Sequence, residues 1–176
     1  MKVLRKLLGI VLYLFIICAA SWLLVHFVVQ RTVVDGPSME NTLHDGDNLL
    51  VDKISYRFKD PARFDIIVFP YQYKEHTYYI KRVIGLPGET VSITDNGIIM
   101  INGKQLQESY GKEVIRDPGL AADPVTLGED EYFVLGDNRN NSSDSRDPSV
   151  GVIKRKDILG IARLRIYPFS RAGLLS

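Results

Sequence analysis

Residues 90–107 read Thr90-Val-Ser-Ile-Thr-Asp-Asn-Gly97-Ile-Ile-Met-Ile-Asn-Gly103-Lys-Gln-Leu-Gln107, three short segments parted by two Asn-Gly pairs. Asn-Gly supplies the positive φ angles that tight hairpin turns require, so this stretch predicts a small antiparallel meander. The chain beyond residue 29 is written in the same way. Helical periodicity is scarce there, and short runs rich in β-branched and aromatic residues alternate with Gly, Pro, Asn and Asp. They predict strands at 48–51, 65–69, 77–84, 90–94, 98–101, 132–135 and 161–167. Without helices to cover a parallel sheet, such strands pair antiparallel. The expected fold class is mainly β, an antiparallel coiled sheet of barrel-like outline. Residues 107–128 are polar and broken by Pro118, Gly119 and Pro124, which predicts a surface excursion.

Ahead of this domain, residues 7–29 contain no Asp, Glu, Lys or Arg. As a helix they would extend roughly 34 Å against a hydrocarbon core of about 30 Å, so they predict a transmembrane helix. Lys2, Arg5 and Lys6 precede it while Asp35 and Glu40 follow, which places the N-terminus in the cytoplasm. Three parts result: a cytoplasmic N-terminus at 1–6, an anchor at 7–29 and an extracytoplasmic β domain at 30–176. Trp22 and His26 fall near the outer end, where amphipathic rings sit among headgroups. The apolar run continues past Ala19-Ala20-Ser21, which argues against a cleaved signal sequence, and Ile17 before Cys18 argues against lipidation. Cys18 is the sole cysteine, so no intrachain disulfide forms, and a net charge of +1 provides no global attraction for nucleic acid.

Three stretches of the β domain carry chemistry. In the first, residues 33–43, Ser38 follows Gly36-Pro37, where a sharp turn can stand a hydroxyl clear of the strands and aim its own N–H at a bound carbonyl. Gly-Pro-Ser is also ordinary turn chemistry. The second, residues 76–89, puts Lys81 in mid-strand among Tyr, Ile and Val, on one face with Tyr79 and Val83, while Ile80, Arg82 and Ile84 point the other way. One reading is an edge strand guarded by charge. The other is a buried lysine, whose neutrality at pH 7 needs a downward shift of roughly 3.4 units, about 4.6 kcal/mol of desolvation. A neutral amine is a competent base for a serine hydroxyl, which gives a Ser-Lys dyad.

The third stretch, Gly136-Asp-Asn-Arg-Asn-Asn-Ser-Ser-Asp-Ser-Arg146, follows a predicted strand. It reads as a solvated turn or as a loop made rigid by ion pairs among Asp137, Arg139, Asp144 and Arg146, with Ser142 able to bond a buried amine. His44, Asp45 and Asp47 lack a chelating pattern and read as a polar turn, so no metal is expected. His44 or His76 as the base for Ser38 is a competing arrangement, and a tethered β domain that binds peptides without catalysis is another.

Taken together, the blocks Gly36-Pro-Ser-Met39, Arg63-Phe-Asp-Ile-Ile-Val-Phe69, Tyr79-Ile-Lys-Arg-Val-Ile-Gly-Leu-Pro-Gly-Glu89, Gly136-Asp-Asn-Arg139, Ser142-x-Asp144-Ser-Arg146 and Gly151-Val152 resemble the type I signal peptidases of the bacterial Ser-Lys class, in the short single-anchor form of Gram-positive bacteria. The resemblance implies a membrane-bound serine endopeptidase, with no cofactor, that cleaves signal peptides from exported preproteins after small-x-small motifs. It implies a single-pass protein of the cell membrane whose partners are preprotein signal peptides and the lipid bilayer, close to the secretion translocon, with no nucleic acid. It makes Ser38 the nucleophile, Lys81 the general base and Ser142 the residue that orients Lys81. Arg82, Asp137, Asp144 and Arg146 then stiffen the site through salt bridges. Val34 and Ile80, next to Ser38 and Lys81, are the expected pocket walls. Two positions depart from the family pattern. Asn41 stands where a proline is common, and Gly36 stands where some members carry a serine that helps bind the oxyanion. Backbone N–H groups at Gly36 and Ser38 are therefore expected to stabilise it.

Overall fold

The computed structural model describes residues 2–23 and 28–175. Helix α1 spans Lys2–Leu23, and its Leu7, Ile10, Leu14 and Trp22 are exposed. Among the described residues it is the one helix long and apolar enough to cross a membrane. The apolar run ends differently from expectation. Val29 begins strand β1 (Val29–Val33), in register with Asp52 of β2 (Asn48–Asp52), so its backbone groups are taken up by a sheet and not by the helix. His26 lies outside the described residues.

The remaining strands are β3 (Ile66–Pro70), β4 (Tyr78–Gly85), β5 (Thr90–Ile93), β6 (Ile99–Ile101), β7 (Lys104–Gln105), β8 (Val125–Thr126), β9 (Glu131–Leu135), β10 (Ile153–Lys154), β11 (Gly160–Tyr167) and β12 (Gly173–Leu174). All pairings are antiparallel. The larger sheet runs β1-β2-β11-β3-β4-β9-β10, with β12 beside β11, and the smaller runs β7-β6-β5-β8. The larger path ends at β1 and β10, so the sheet is folded and coiled without closing.

The meander forms as its turns require. Asn102 and Gly103 both have positive φ, at 51° and 74°, and join Ile101 directly to its partner Lys104. At the other turn only Gly97 is left-handed, because the loop is longer and Thr94 accepts the Gly97 N–H at 2.8 Å. Strand β3 is buried on both faces. Ile66 and Val68 pack with Val34, Met39 and Leu49, whereas Ile67 and Phe69 pack with Tyr56, Val83 and Ile161. That is why residues 66–69 form a continuous apolar run and not an alternation.

Residues 107–128 are more than a surface excursion. Ile115, Ala121 and Leu127 are buried in the cluster that joins the two sheets, together with Ile84, Val91 and Phe133. A short 3-10 turn, Gly119–Ala122, and strand β8 lie within it. Sparse apolar residues at irregular spacing carry this burial, and no periodic pattern announces it.

Candidate active site

Three elements meet at Ser38. The chain leaves β1, turns at Gly36 with φ of 88°, and continues through a tight turn in which Glu40 N–H donates to Pro37 O at 2.9 Å. The loop after β9 holds that turn from behind: Asn138 N–H donates to Ser38 O at 3.1 Å and Asn138 Nδ2 to Pro37 O at 3.1 Å. Close approach is possible because residue 136 is glycine. A Cβ there would lie 2.2 Å from Ser142 Oγ and 2.5 Å from Ser38 O.

From the third element, β4, Lys81 reaches the hydroxyl. Its Nζ donates to Ser38 Oγ at 2.9 Å and to Ile80 O at 3.1 Å, and it lies 4.9 Å from the Tyr79 ring centroid. Lys81 is 3% exposed. Burial pushes its pKa down from the usual lysine range to about 8, against the pull of Asp144 and Asp137, which favour the charged form. Neither His44 nor His76 shares a hydrogen bond with Ser38; the amine does.

Behind Lys81 the charges are paired in depth. Arg82 donates through Nε to Asp137 Oδ1 at 3.0 Å and through Nη2 to Asp137 Oδ2 at 2.8 Å, and neither side chain is exposed. Arg146 grips Asp144 through Nε at 2.8 Å and Nη2 at 2.9 Å, while Asp144 Oδ2 accepts the Gly136 N–H at 3.0 Å. Fork-to-carboxylate pairs of this kind fix orientation as well as charge.

Several contributors are invisible in the sequence pattern. Thr42 donates to Asp137 Oδ2 at 2.5 Å. Tyr110 stacks on Arg82, with the guanidinium 3.7 Å from its ring centroid. Glu108 accepts from Arg139 Nη1 at 2.8 Å. Burial pushes the Glu108 carboxyl up, but Arg139 and the N–H groups of Tyr110 and Gly111 outweigh it and hold the carboxyl below the usual range. Lys112 bonds Glu40 at 2.8 Å, and its N–H donates to Asp137 O at 2.8 Å. All but Thr42 belong to residues 107–128, read from sequence as a bare excursion.

Two expected arrangements differ. The structure does not join Ser142 to Lys81: Ser142 Oγ is buried with no hydrogen-bond partner among the described residues and packs toward Gly136, while the amine is taken up by Ser38 and the Ile80 carbonyl. The Gly36 N–H is spent on Asp45 Oδ1 at 2.9 Å, so it does not face an incoming oxyanion. Among the described residues the Ser38 N–H makes no hydrogen bond. Asn41 is left-handed, with φ of 95°, a conformation closed to the proline common at this position in the family pattern.

A cleft of about 490 Å³ opens over Ser38 and Lys81, walled by residues 32–39 on one side and 77–81 on the other. Both walls are strand edges. β1 pairs with β2 alone, and residues 78–81 of β4 pair with β3 alone, since the β4–β9 pairing begins at Arg82. The N–H and C=O of Val34 are bonded toward residues 46 and 47, so those of Val33 and Asp35 face the open edge. Val34 and Ile80 line the cleft and share a hydrophobic cluster with Met39.

Residues 7–167 match the family described as signal peptidase, peptidase S26. The chain is similar to a probable signal peptidase I-2 of Synechocystis sp., 42% identical over 155 residues that make up 85% of this chain and 68% of that protein. It is also similar to signal peptidase I P of Bacillus subtilis subsp. natto, 38% identical over 152 residues, 82% of this chain and 80% of that one. A crystal structure of a signal peptidase I from Enterococcus faecalis is 38% identical, with a TM-score of 0.48 over 58% of this chain and 97% of the other. With the family match running from the apolar helix through β11, the chain belongs to the signal peptidases of peptidase family S26.

Proposed function

We propose that this protein is a membrane-bound endopeptidase that removes signal peptides from exported preproteins by a Ser38–Lys81 dyad. The observation that carries the reading is the 2.9 Å hydrogen bond between a buried lysine amine and a serine hydroxyl at the floor of an open cleft. With its pKa at about 8, roughly a tenth of Lys81 is neutral at pH 7, enough to accept the Ser38 proton. The serine oxygen then attacks the scissile carbonyl, and the Ser38 N–H stabilises the developing oxyanion. The protonated Lys81 donates to the leaving amine, and the resulting ester is hydrolysed by a water that the same lysine activates.

Substrate binds extended between the two open edges, with main-chain hydrogen bonds to residues 33–35 and 78–81 supplying affinity. Val34 and Ile80 wall the pockets for side chains before the cut, and their bulk favours small residues there. Asp137, Arg82, Asp144 and Arg146 act as positioning residues, and Ser142 sits where an approaching substrate can turn its hydroxyl toward Lys81. The apolar segment that begins at residue 7 tethers the domain as a single-pass anchor and ends before Val29 joins β1, with residues 1–6 cytoplasmic and the β domain extracytoplasmic, at the bilayer surface and near the secretion translocon.

The test is processing of one preprotein by the purified full chain in detergent. Ser38→Ala abolishes cleavage, and Lys81→Ala lowers kcat by at least about a thousandfold. Equal processing by wild type and Ser38→Ala overturns the reading.

A further inference from the structure

Two cavities meet at Ser142. One is the cleft over Ser38 and Lys81, whose wall includes Asn140 and Ser142. The same two residues line a second cavity, of about 480 Å³, together with Arg116, Asp117, Arg139 and Arg146. Its lining residues carry two buried polar atoms with no hydrogen-bond partner, Ser142 Oγ and Arg139 Nη2, and Arg139 is 3% exposed. A bound acceptor would satisfy a buried donor that otherwise has no partner.

Arg116 is set at this cavity by Asn140, whose Oδ1 accepts the Arg116 N–H at 2.9 Å and whose Nδ2 donates to Val114 O at 2.9 Å. The Arg116 side chain is 81% exposed and makes a loose ion pair with Glu113 at 4.0 Å. The acids of the lining are engaged locally: Asp117 Oδ1 accepts the Gly119 N–H and Asp147 Oδ1 the Ser149 N–H. Arg146 is committed to Asp144. The donors that remain for a bound acceptor are on Arg116 and Arg139, and they share the cavity with the Asp117 and Asp147 carboxylates.

Resting on the function proposed above, we propose that this second cavity receives the segment that leaves, the first residues after the scissile bond, and that Arg116 with the spare Nη2 of Arg139 favours a carboxylate side chain there. Residues 32–36 and 77–81 hold the chain before the cut, and Ser38 and Lys81 flank the bond, so a strand continuing past Ser142 enters this cavity. The entry is near. A single methyl on Gly136 would touch both Ser142 Oγ and Ser38 O, and an extended chain advances about 3.3 Å per residue, so the carboxylate belongs within the first few residues.

The experiment uses the full chain in detergent and one signal-peptide substrate in which each of the first four residues after the cut is in turn Glu, Gln or Lys. The readout is the ratio of kcat/KM for Glu over Lys at each position, taken within each enzyme so that losses of folded protein cancel. Wild type favours Glu at one position by about fivefold or more, and Arg116→Glu brings that ratio to one or below. Equal treatment of Glu, Gln and Lys by wild type at all four positions overturns the proposal, as does a Glu preference that survives Arg116→Glu. If wild type cuts none of the set, the peptidase reading itself falls and takes this subsite with it.

Discussion

Arg82 and Asp137 form a two-point pair, Nε to Oδ1 at 3.0 Å and Nη2 to Oδ2 at 2.8 Å, with both side chains fully out of solvent. Arg82 stands next to Lys81 in β4, and Asp137 stands next to Asn138, which holds the carbonyls of Pro37 and Ser38. The pair thus ties the strand of the base to the loop that supports the nucleophile. Removing one partner leaves a buried charge without compensation, so Asp137→Ala costs about 3–5 kcal/mol of stability. Urea titration of the full chain in detergent measures this, and a loss under about 1 kcal/mol would show that the pair braces nothing.

Lys81 dictates the pH dependence. A base must be neutral, so kcat/KM rises with pH and levels off above about 8, the value to which burial brings the amine. A profile still climbing near pH 10 would mean that the amine is solvated during turnover. The linked effect on stability has a definite sign. Between about 8 and the unfolded value near 10.4 the unfolded chain binds the extra proton, so stability rises with pH across that window and carries the full cost of the buried charge below it. Lys81→Met is accordingly inactive and more stable at pH 7, by about 2 kcal/mol.

Ser142 separates support of the fold from support of chemistry. Its hydroxyl is buried without a partner, so Ser142→Ala leaves stability unchanged or raises it by up to about 1 kcal/mol. If the hydroxyl turns to Lys81 once substrate fills the cleft, kcat falls about tenfold in the same variant. Single-turnover assays give the rate and thermal melts the stability; an unaltered rate removes Ser142 from the machinery.

Asn41 inverts a family expectation. With φ at 95°, its backbone cannot accommodate the proline ring, which holds φ near −65°. Asn41→Pro, the substitution toward the family pattern, therefore destabilises by more than about 1 kcal/mol, whereas Asn41→Gly is neutral or stabilising. Thermal melts of the two variants order them, and a Pro variant at least as stable as wild type would contradict the left-handed turn.

Local chemistry is legible in one dimension. The Asn102-Gly103 hairpin, the buried apolar run of β3 and the lysine set among Tyr, Ile and Val each depend on neighbours a few residues away, and each is found where residue pattern puts it. The start of β1 was hidden because Val29 prolongs an apolar run, and only pairing with Asp52 distinguishes strand from helix there. Ser38 and Lys81 were nameable from turn and strand context. Their 2.9 Å contact, the burial that lowers the amine, and the grip of Glu108, Tyr110 and Lys112 on the site are decided by the tertiary structure alone. Hydrogen-bond partners and desolvation depend on which distant segments the folded sheets bring within a few ångströms, and spacing along the chain does not encode that proximity.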